Sequence, residues 1–175
     1  MIQDRYAGVY RTRTAWFAVS SFQTTAGVWI EIGPCRSIPA THGLLEKAEF
    51  VLQALAESKG GIDHPTDWKA VPESPILAAT GVRSWSALSR ISNIISVFKS
   101  NDNFDIEAWR VVGRGGWSEK IPGADIHLPP DATPEQLGRA LERAFESCDP
   151  LQGNRVESTR KKPNKGKRAK SRTGK

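Results

Sequence analysis

The sequence predicts an α+β fold with antiparallel sheets built from two similar units, each containing several strands followed by one helix. Two segments have the 3.6-residue spacing of apolar side chains that is typical of an amphipathic helix. Each follows a series of short segments rich in β-branched and aromatic residues, separated by turn formers. We therefore expect a single domain at residues 1–152, with internal units at about 1–60 and 82–150, and a disordered basic tail at 153–175.

The first unit is expected to begin with strands near 6–12, 15–22, 28–32 and 36–38. The turn formers from Thr24 to Gly27 connect the second and third strands as a hairpin. A helix is expected from about 42 to 58, and Gly60-Gly61 is expected to end it. Its apolar positions fall on one face: Leu44, Ala48, Val51, Leu52 and Leu55.

The second unit has expected strands near 93–98, 104–112, 117–121 and 124–128, and a helix from Thr133 to Cys148. Thr133 is a suitable N-cap residue, and Pro134 suits the first helical position. Adding 93 to each apolar position of the first helix gives the apolar face of the second: Leu137, Leu141, Ala144, Phe145 and Cys148. This correspondence favours an internal duplication.

Two connecting segments need separate interpretation. Strands flank Gly113-Arg114-Gly115-Gly116 on both sides, so it is interpreted as a wide turn; a phosphate-binding loop would lead into a helix. Between the units, Ser74-Pro75 predicts a short capped helix. Residues 84–90 are either a strand or another helical turn.

Positive charge is concentrated at the C-terminal end. The formal net charge is +6, yet residues 154–175 hold ten basic residues and one acid, a balance of +9. The remaining 153 residues hold 15 basic and 18 acidic side chains, a balance of −3. The tail composition is typical of a disordered segment, with RNA or membrane-surface binding as the alternative. The acidic body favours a basic protein partner.

The sequence contains no recognisable catalytic or metal-binding pattern. His42, His64 and His127 lack metal-ligand spacing, and His127 is expected to face solvent from a strand. Cys35 and Cys148 have no CxxC spacing and are expected to be free thiols of a reducing cytosol. No run is apolar enough to span a membrane. We expect a non-catalytic, cytoplasmic protein with no metal and no cofactor.

Tryptophans and acids are the candidates for protein recognition. Trp16, Trp29 and Trp109 lie in predicted strands and are expected to pack, whereas Trp68, Trp85 and Trp117 lie near loops and could anchor a partner. Acids gather in the connector and on the 93–112 hairpin, where the plain alternative is a solvated surface. The candidate binding residues are Asp63, Asp67, Trp68, Glu73, Asp102, Asp105, Glu107 and Trp117.

Several segments resemble the immunity proteins of bacterial contact-dependent growth inhibition systems. The resemblance covers about residues 1–150 and leaves out the tail. It rests on Asp4 to Tyr10, Trp16 to Phe22, His64-Pro65-Thr66-Asp67-Trp68, Ile76 to Ser86, Gly113-Arg114-Gly115-Gly116-Trp117 and the closing amphipathic helix. The resemblance implies a stoichiometric inhibitor that binds the C-terminal toxin domain of a neighbouring cell's surface effector, often a nuclease, in the cytoplasm. It does not indicate which residues contact the toxin or the oligomeric state.

Two other functions remain open. A single-stranded nucleic-acid-binding protein would use the sheets as a platform and the tail for phosphate contacts. An immunity protein would bind nucleic acid only weakly, through its tail, and lose that binding on removal of residues 154–175. An enzyme using Cys35 or His64 is the third possibility, although the sequence suggests no substrate.

Overall fold

The computed structural model describes residues 4–112 and 117–151 and confirms an α+β fold with an antiparallel main sheet. The strands are β1 (Arg5–Arg11), β2 (Ala15–Ser20), β3 (Phe22–Thr24), β4 (Trp29–Ile30), β5 (Cys35–Pro39), β6 (Lys59–Ile62), β7 (Asn93–Lys99), β8 (Phe104–Val111), β9 (Trp117–Lys120) and β10 (Ile126–Leu128). The helices are α1 (Leu44–Glu57), α2 (Pro75–Thr80), α3 (Trp85–Ile91) and α4 (Pro134–Glu146).

The main sheet has seven strands in the order β10-β8-β7-β1-β2-β5, with β9 pairing with β8. The central pair is β1 and β7, which run antiparallel and place Gly8 opposite Ser96. Because side chains alternate along a strand, β1 sends Ala7 and Val9 into one apolar core and Tyr10 to the opposite face. Both faces of the central strands are therefore covered, by different parts of the chain.

Helices α1 and α4 pack together over one face of the main sheet. Their contact is close at Gly138, where an added Cβ would lie 2.4 Å from the carbonyl oxygen of Leu44. Lys47 of α1 forms an ion pair with Glu142 of α4, and its Nζ lies 5.0 Å from the centre of the Trp16 ring. The contact between the two helices is thus part of the main core.

The register of the two helices differs from the prediction. Leu44, predicted to lie on the apolar face of α1, is 37 % exposed. The buried positions correspond at an offset of 90 and not 93: Lys47, Ala48, Phe50, Val51, Ala54 and Leu55 in α1, and Leu137, Gly138, Ala140, Leu141, Ala144 and Phe145 in α4. We expected Leu44 in the core because its side chain is apolar. It is the first residue of α1, however, and therefore lies at the edge of the core.

The two halves place their strands on either side of the central β1–β7 pair, as β5-β2-β1 and β7-β8-β10. Each half then ends in one long helix, α1 or α4. This arrangement agrees with two similar units, but the internal duplication itself stays a prediction.

A second sheet contains three short strands in the order β4-β3-β6. The predicted hairpin from Thr24 to Gly27 joins β3 to β4, and Gly27 has a φ of 82° in the turn. Gly60 and Gly61, predicted to end the first helix, instead lie within β6, which pairs parallel with β3. The helix ends earlier, at Glu57, because Ser58 adopts an extended conformation.

The connector forms two short helices, α2 and α3. Their buried side chains pack with those of β1 and β2 in a small second apolar cluster, which consists of Tyr10, Val19, Ile76, Leu77 and Leu88. Residues 84–90, left open between strand and helical turn, are helical. The predicted turn at 113–116 and the predicted tail at 153–175 lie outside the described residues. No helix in the described ranges is both long and apolar enough to cross a membrane.

Candidate functional site

A cavity of about 650 Å³ lies on the face of the main sheet opposite α1 and α4. Its walls come from the central strands, the small sheet, the connector and the β8–β9 hairpin. Five of the six tryptophans line it: Trp29, Trp68, Trp85, Trp109 and Trp117. The sixth, Trp16, is only 1 % exposed and packs against Phe145 beneath the helices, as predicted.

The floor of the cavity is aromatic and hydrogen-bonded. Tyr6 stacks on Trp29, with 5.6 Å between the ring centres, and Tyr10 meets Trp117 edge-on at the same distance. Trp109 donates its indole N–H to the hydroxyl of Ser96 at 3.0 Å. These contacts fix the rings in place, because each side chain is held by a neighbour on another strand.

Glu31 is a carboxylate at the bottom of this aromatic surface. Its Oε2 accepts hydrogen bonds from the hydroxyls of Tyr10, at 2.7 Å, and Ser74, at 3.0 Å. Its Oε1 lies directly over Gly8, where an added Cβ would be only 1.9 Å away. A glycine is therefore required in β1 for the carboxylate to lie against the sheet.

The environment of Glu31 disfavours charge. Burial raises the pKa of Glu31 above its ordinary 4.5, while the hydrogen bonds from Tyr10 and Ser74 partly oppose that rise. Burial, together with nearby Glu31, also raises the pKa of Tyr10 well above 10.0, and burial raises that of Tyr6 to about 12. Both tyrosines therefore remain protonated and can donate hydrogen bonds at neutral pH.

The connector loop forms the rim of the cavity. Trp68 is 53 % exposed, and its ring meets His64 edge-on with 5.5 Å between centres. His64 in turn contacts the Thr24 hydroxyl through Nδ1 at 3.2 Å. His64 therefore holds the loop against the small sheet, which is a structural role.

The structure brings some of the predicted binding residues together. Trp68, Glu73 and Trp117 line the aromatic cavity. Asp63 and Asp67 line an adjoining cleft of about 320 Å³, which shares Ile30, Val71 and Pro72 with it. No ion pair to Asp63, Asp67 or Glu73 is present among residues 4–112 and 117–151.

The second acidic group is partly neutralised within the fold. Glu107 pairs with Lys120 and accepts a hydrogen bond from Ser96 at 3.2 Å. Asp105 contacts His127, whose side chain faces solvent as predicted. Asp102 lies in the predicted hairpin turn and is exposed. Of these three acids, Glu107 therefore carries less free negative charge than the sequence indicated.

Neither cysteine is an activated nucleophile. Burial raises the pKa of Cys35 to about 11, with a contribution from Glu31, and burial likewise raises that of Cys148 to about 11. Both are free thiols in the described structure, as expected. Within the described residues, no group of three or more histidine, cysteine, aspartate or glutamate side chains could hold a metal ion.

Sequence reasoning did not identify Glu31, Tyr10 or Ser74 as site residues, because they are far apart along the chain. The sequence contained one signal for Trp109. Apolar residues at 104, 106 and 108 alternate with Asp105, Glu107 and Trp109, which places Trp109 on the side of the strand away from the core.

Known proteins resemble this chain in sequence pattern and in fold. A family model described as the CDI immunity protein CdiI matches residues 48–148, more than half of the chain. The fold is similar to a protein of unknown function, NMB0488, from Neisseria meningitidis, with a TM-score of 0.67 and 23 % identity, covering 84 % of this chain and 96 % of that chain.

A second solved structure has the same fold. One chain of a CdiA-CT/CdiI toxin and immunity complex from Yersinia pseudotuberculosis matches with a TM-score of 0.68 and 15 % identity, covering 85 % of this chain and 99 % of that chain. No curated protein matches the chain. At these identities the two solved structures establish a shared fold.

Proposed function

Because this chain belongs to the CDI immunity protein family, we propose that it binds the toxin domain of a contact-dependent growth inhibition effector and neutralises it as a stoichiometric complex. The family match over residues 48–148 carries this proposal. It includes the connector, α3, the β7–β8 hairpin and α4. The toxin and immunity complex among the structural neighbours supports a protein partner.

We further propose that the toxin contacts the cavity face. That face combines exposed aromatic side chains, of the kind that anchor protein interfaces, with acids at its edge that form no ion pair with any described residue. The proposed contact residues are Trp68, Glu73 and Trp117 around the cavity, Asp63 and Asp67 in the adjoining cleft, and Asp102, Asp105 and Glu107 on the neighbouring hairpin.

Charge supports a nuclease as the finer identity of the toxin. Residues 1–153 carry a balance of −3, and a nuclease offers a basic surface for its polyanionic substrate. In this proposal the protein acts in the cytoplasm by binding, without catalysis and without a cofactor. The tail at 153–175 is proposed to be dispensable for binding the toxin.

Co-expression with a candidate toxin tests the function directly. The candidate is the C-terminal domain encoded by the reading frame immediately upstream. Induction of that domain alone is expected to stop growth of a bacterial host, and co-expression of this chain is expected to restore it. A purified mixture should give a one-to-one complex. An immunity protein from an unrelated system is the control and should not rescue; rescue by both, or by neither, contradicts the proposal.

Association kinetics test the acidic surface. Because Glu107 and Asp105 already contact Lys120 and His127, the test is made at the acids that form no ion pair with any described residue. Asn or Gln at Asp63, Asp67 and Glu73 is expected to slow association by up to about tenfold at low salt, and the parent's rate should fall as salt rises. Unchanged association would exclude this surface.

Single-stranded nucleic-acid binding is the second candidate, favoured by the aromatic side chains on the sheet face. It predicts tight, steeply salt-dependent binding of single-stranded DNA or RNA that persists after removal of residues 154–175. The immunity function predicts weak binding that disappears with those residues. Two glutamates in the cavity, Glu31 and Glu73, oppose phosphate binding there.

A further inference from the structure

We propose that the aromatic cavity receives a positively charged side chain, a lysine or an arginine, from the surface of the toxin. This inference rests on the proposed immunity function and specifies the chemistry by which the partner is recognised. Three independent features of the cavity support it: its charge, its aromatic walls and the placement of one carboxylate oxygen.

The ionisable side chains described on the lining, apart from the tyrosines, are acids. Among the described residues that line the cavity, none is lysine, arginine or histidine, and two are glutamates, Glu31 and Glu73. A cation entering this space would favour the ionised form of Glu31, and it meets no basic group among the described lining residues.

The walls suit a cation because tryptophan and tyrosine rings attract positive charge to their faces. The same chain uses this interaction on the other side of the sheet, where Nζ of Lys47 lies 5.0 Å from the Trp16 ring centre, and at the cavity wall, where Nζ of Lys120 lies 5.7 Å from the ring centre of Trp109. Trp68 and Trp85 are both exposed at the cavity and available to an incoming group.

Glu31 distinguishes a cation from an apolar occupant. Tyr10 and Ser74 both donate to its Oε2, and in the described structure Oε1 has no hydrogen-bond donor. An apolar side chain filling the cavity would remove water from Oε1 without replacing its hydrogen bonds, which is costly for a carboxylate. An ammonium or guanidinium group would supply both the charge and the missing donor.

The geometry around Glu31 shows that its position is built into the fold. Gly8 leaves room for the carboxylate against β1, and the Tyr10 hydroxyl orients it. An alanine Cβ at position 8 would meet mainly the Glu31 carboxylate, the end of a flexible side chain, and would touch the Tyr10 ring at 3.3 Å, so the fold should survive while the carboxylate moves. This gives a second variant, independent of a change at Glu31 itself.

Indole N–H resonances of the full chain provide the assay. The probes are N-acetyl-L-arginine amide and N-acetyl-L-lysine amide, with neutral N-acetyl-L-norleucine amide as the matched apolar probe. We expect both cationic amides to shift resonances of cavity tryptophans at millimolar concentration, and to leave that of Trp16, buried on the other side of the sheet, unchanged. The relative size of the two shifts separates lysine from arginine.

Variants then test whether binding of the cationic amides depends on Glu31. Glu31→Gln keeps the shape of the side chain and is expected to weaken binding of the cationic amides, and of the toxin domain, by about tenfold or more. Gly8→Ala should have a similar effect. Glu135→Gln, an equal charge change at an exposed position of α4 on the opposite face, should leave both affinities unchanged.

Each other outcome has a definite meaning. Equal shifts with the norleucine amide would identify an apolar occupant, and shifts with oligo(dT) would identify a nucleic acid; either overturns the inference. If the toxin domain binds parent and Glu31→Gln equally, the inference is wrong and the immunity function stands. If the cationic amides bind but no toxin domain does, the cavity's preference for cations is upheld and the immunity function fails.

Discussion

Replacing Gly138 with alanine has two opposite effects on stability: it favours the helical conformation, and it creates a steric clash between α4 and α1. In an exposed helix, alanine in place of glycine stabilises by about 0.5–1 kcal/mol, because the unfolded glycine has more conformational freedom to lose. Gly138 lies instead at the contact between α4 and α1. An alanine Cβ there would lie 2.4 Å from the carbonyl oxygen and 2.9 Å from the carbonyl carbon of Leu44.

The clash is with backbone, so no side-chain rotation relieves it. Ordinary contact begins near 3.4 Å, and the first turn of α1 must therefore move by about 1 Å or α4 must tilt. Overpacking of this kind typically costs about 1–3 kcal/mol, and the absence of a flexible neighbour favours the upper part of that range. Subtracting the gain in helix propensity, we expect Gly138→Ala to lower the free energy of unfolding by about 1–2 kcal/mol.

Urea unfolding followed by tryptophan fluorescence measures this change, since Trp16 packs against Phe145 of α4 with 4.7 Å between ring centres. The dependence of the unfolding free energy on urea should stay constant, so that the shift in midpoint reports stability. Arg139→Ala, at the exposed neighbouring position, is the control and should change stability by less than about 0.5 kcal/mol. A Gly138→Ala protein more stable than its parent would refute the close-contact reasoning.

Three further predictions concern the cap of α4, the thiols and the buried carboxylate. Thr133→Ala removes the N-cap hydroxyl that accepts from the backbone of α4, and should lower the unfolding free energy by about 1 kcal/mol; no loss in urea unfolding would contradict it. Since burial raises the pKa of Cys35 and Cys148 from 9.0 to about 11, iodoacetamide should react about 100-fold more slowly with the native protein than with the unfolded protein at about pH 8, and equal rates would disprove this. Burial also raises the pKa of Glu31, so the stability associated with its protonated form is present below the unfolded pKa and lost as pH rises through the folded pKa. Glu31→Gln should therefore gain stability relative to the parent as the pH rises above the ordinary glutamate pKa of 4.5, and a difference independent of pH would count against it.

The sequence was sufficient for most of the elements. The two long helices and the strands of the main sheet follow from local periodicity, and the Thr133 cap was recognisable from its neighbours. Errors occurred where tertiary context overrides local signals. Gly60 and Gly61 look like a helix terminator, but pairing with β3 makes them part of a strand.

The cavity could be predicted only in part. Trp68 and Trp117 were recognisable as interface candidates because they lie near loops. Glu31 was not, because nothing in its immediate sequence shows that Tyr10 and Ser74 will converge on its carboxylate. Likewise, Glu107 pairs with Lys120 because of the register between β8 and β9, and that register cannot be predicted from the number of acids in the sequence.

The division between the two faces of β1 has a consequence for diversification among such proteins. Ala7 and Val9 belong to the apolar core under the helices, whereas Tyr6 and Tyr10 belong to the cavity, and the two sets alternate along one short strand. Substitution of the half-buried Tyr6 can therefore alter what the protein recognises while the core under the helices stays intact. Tyr10 is more constrained, because it also packs in the second apolar cluster, so a lineage facing a new toxin could change its selectivity more readily at Tyr6.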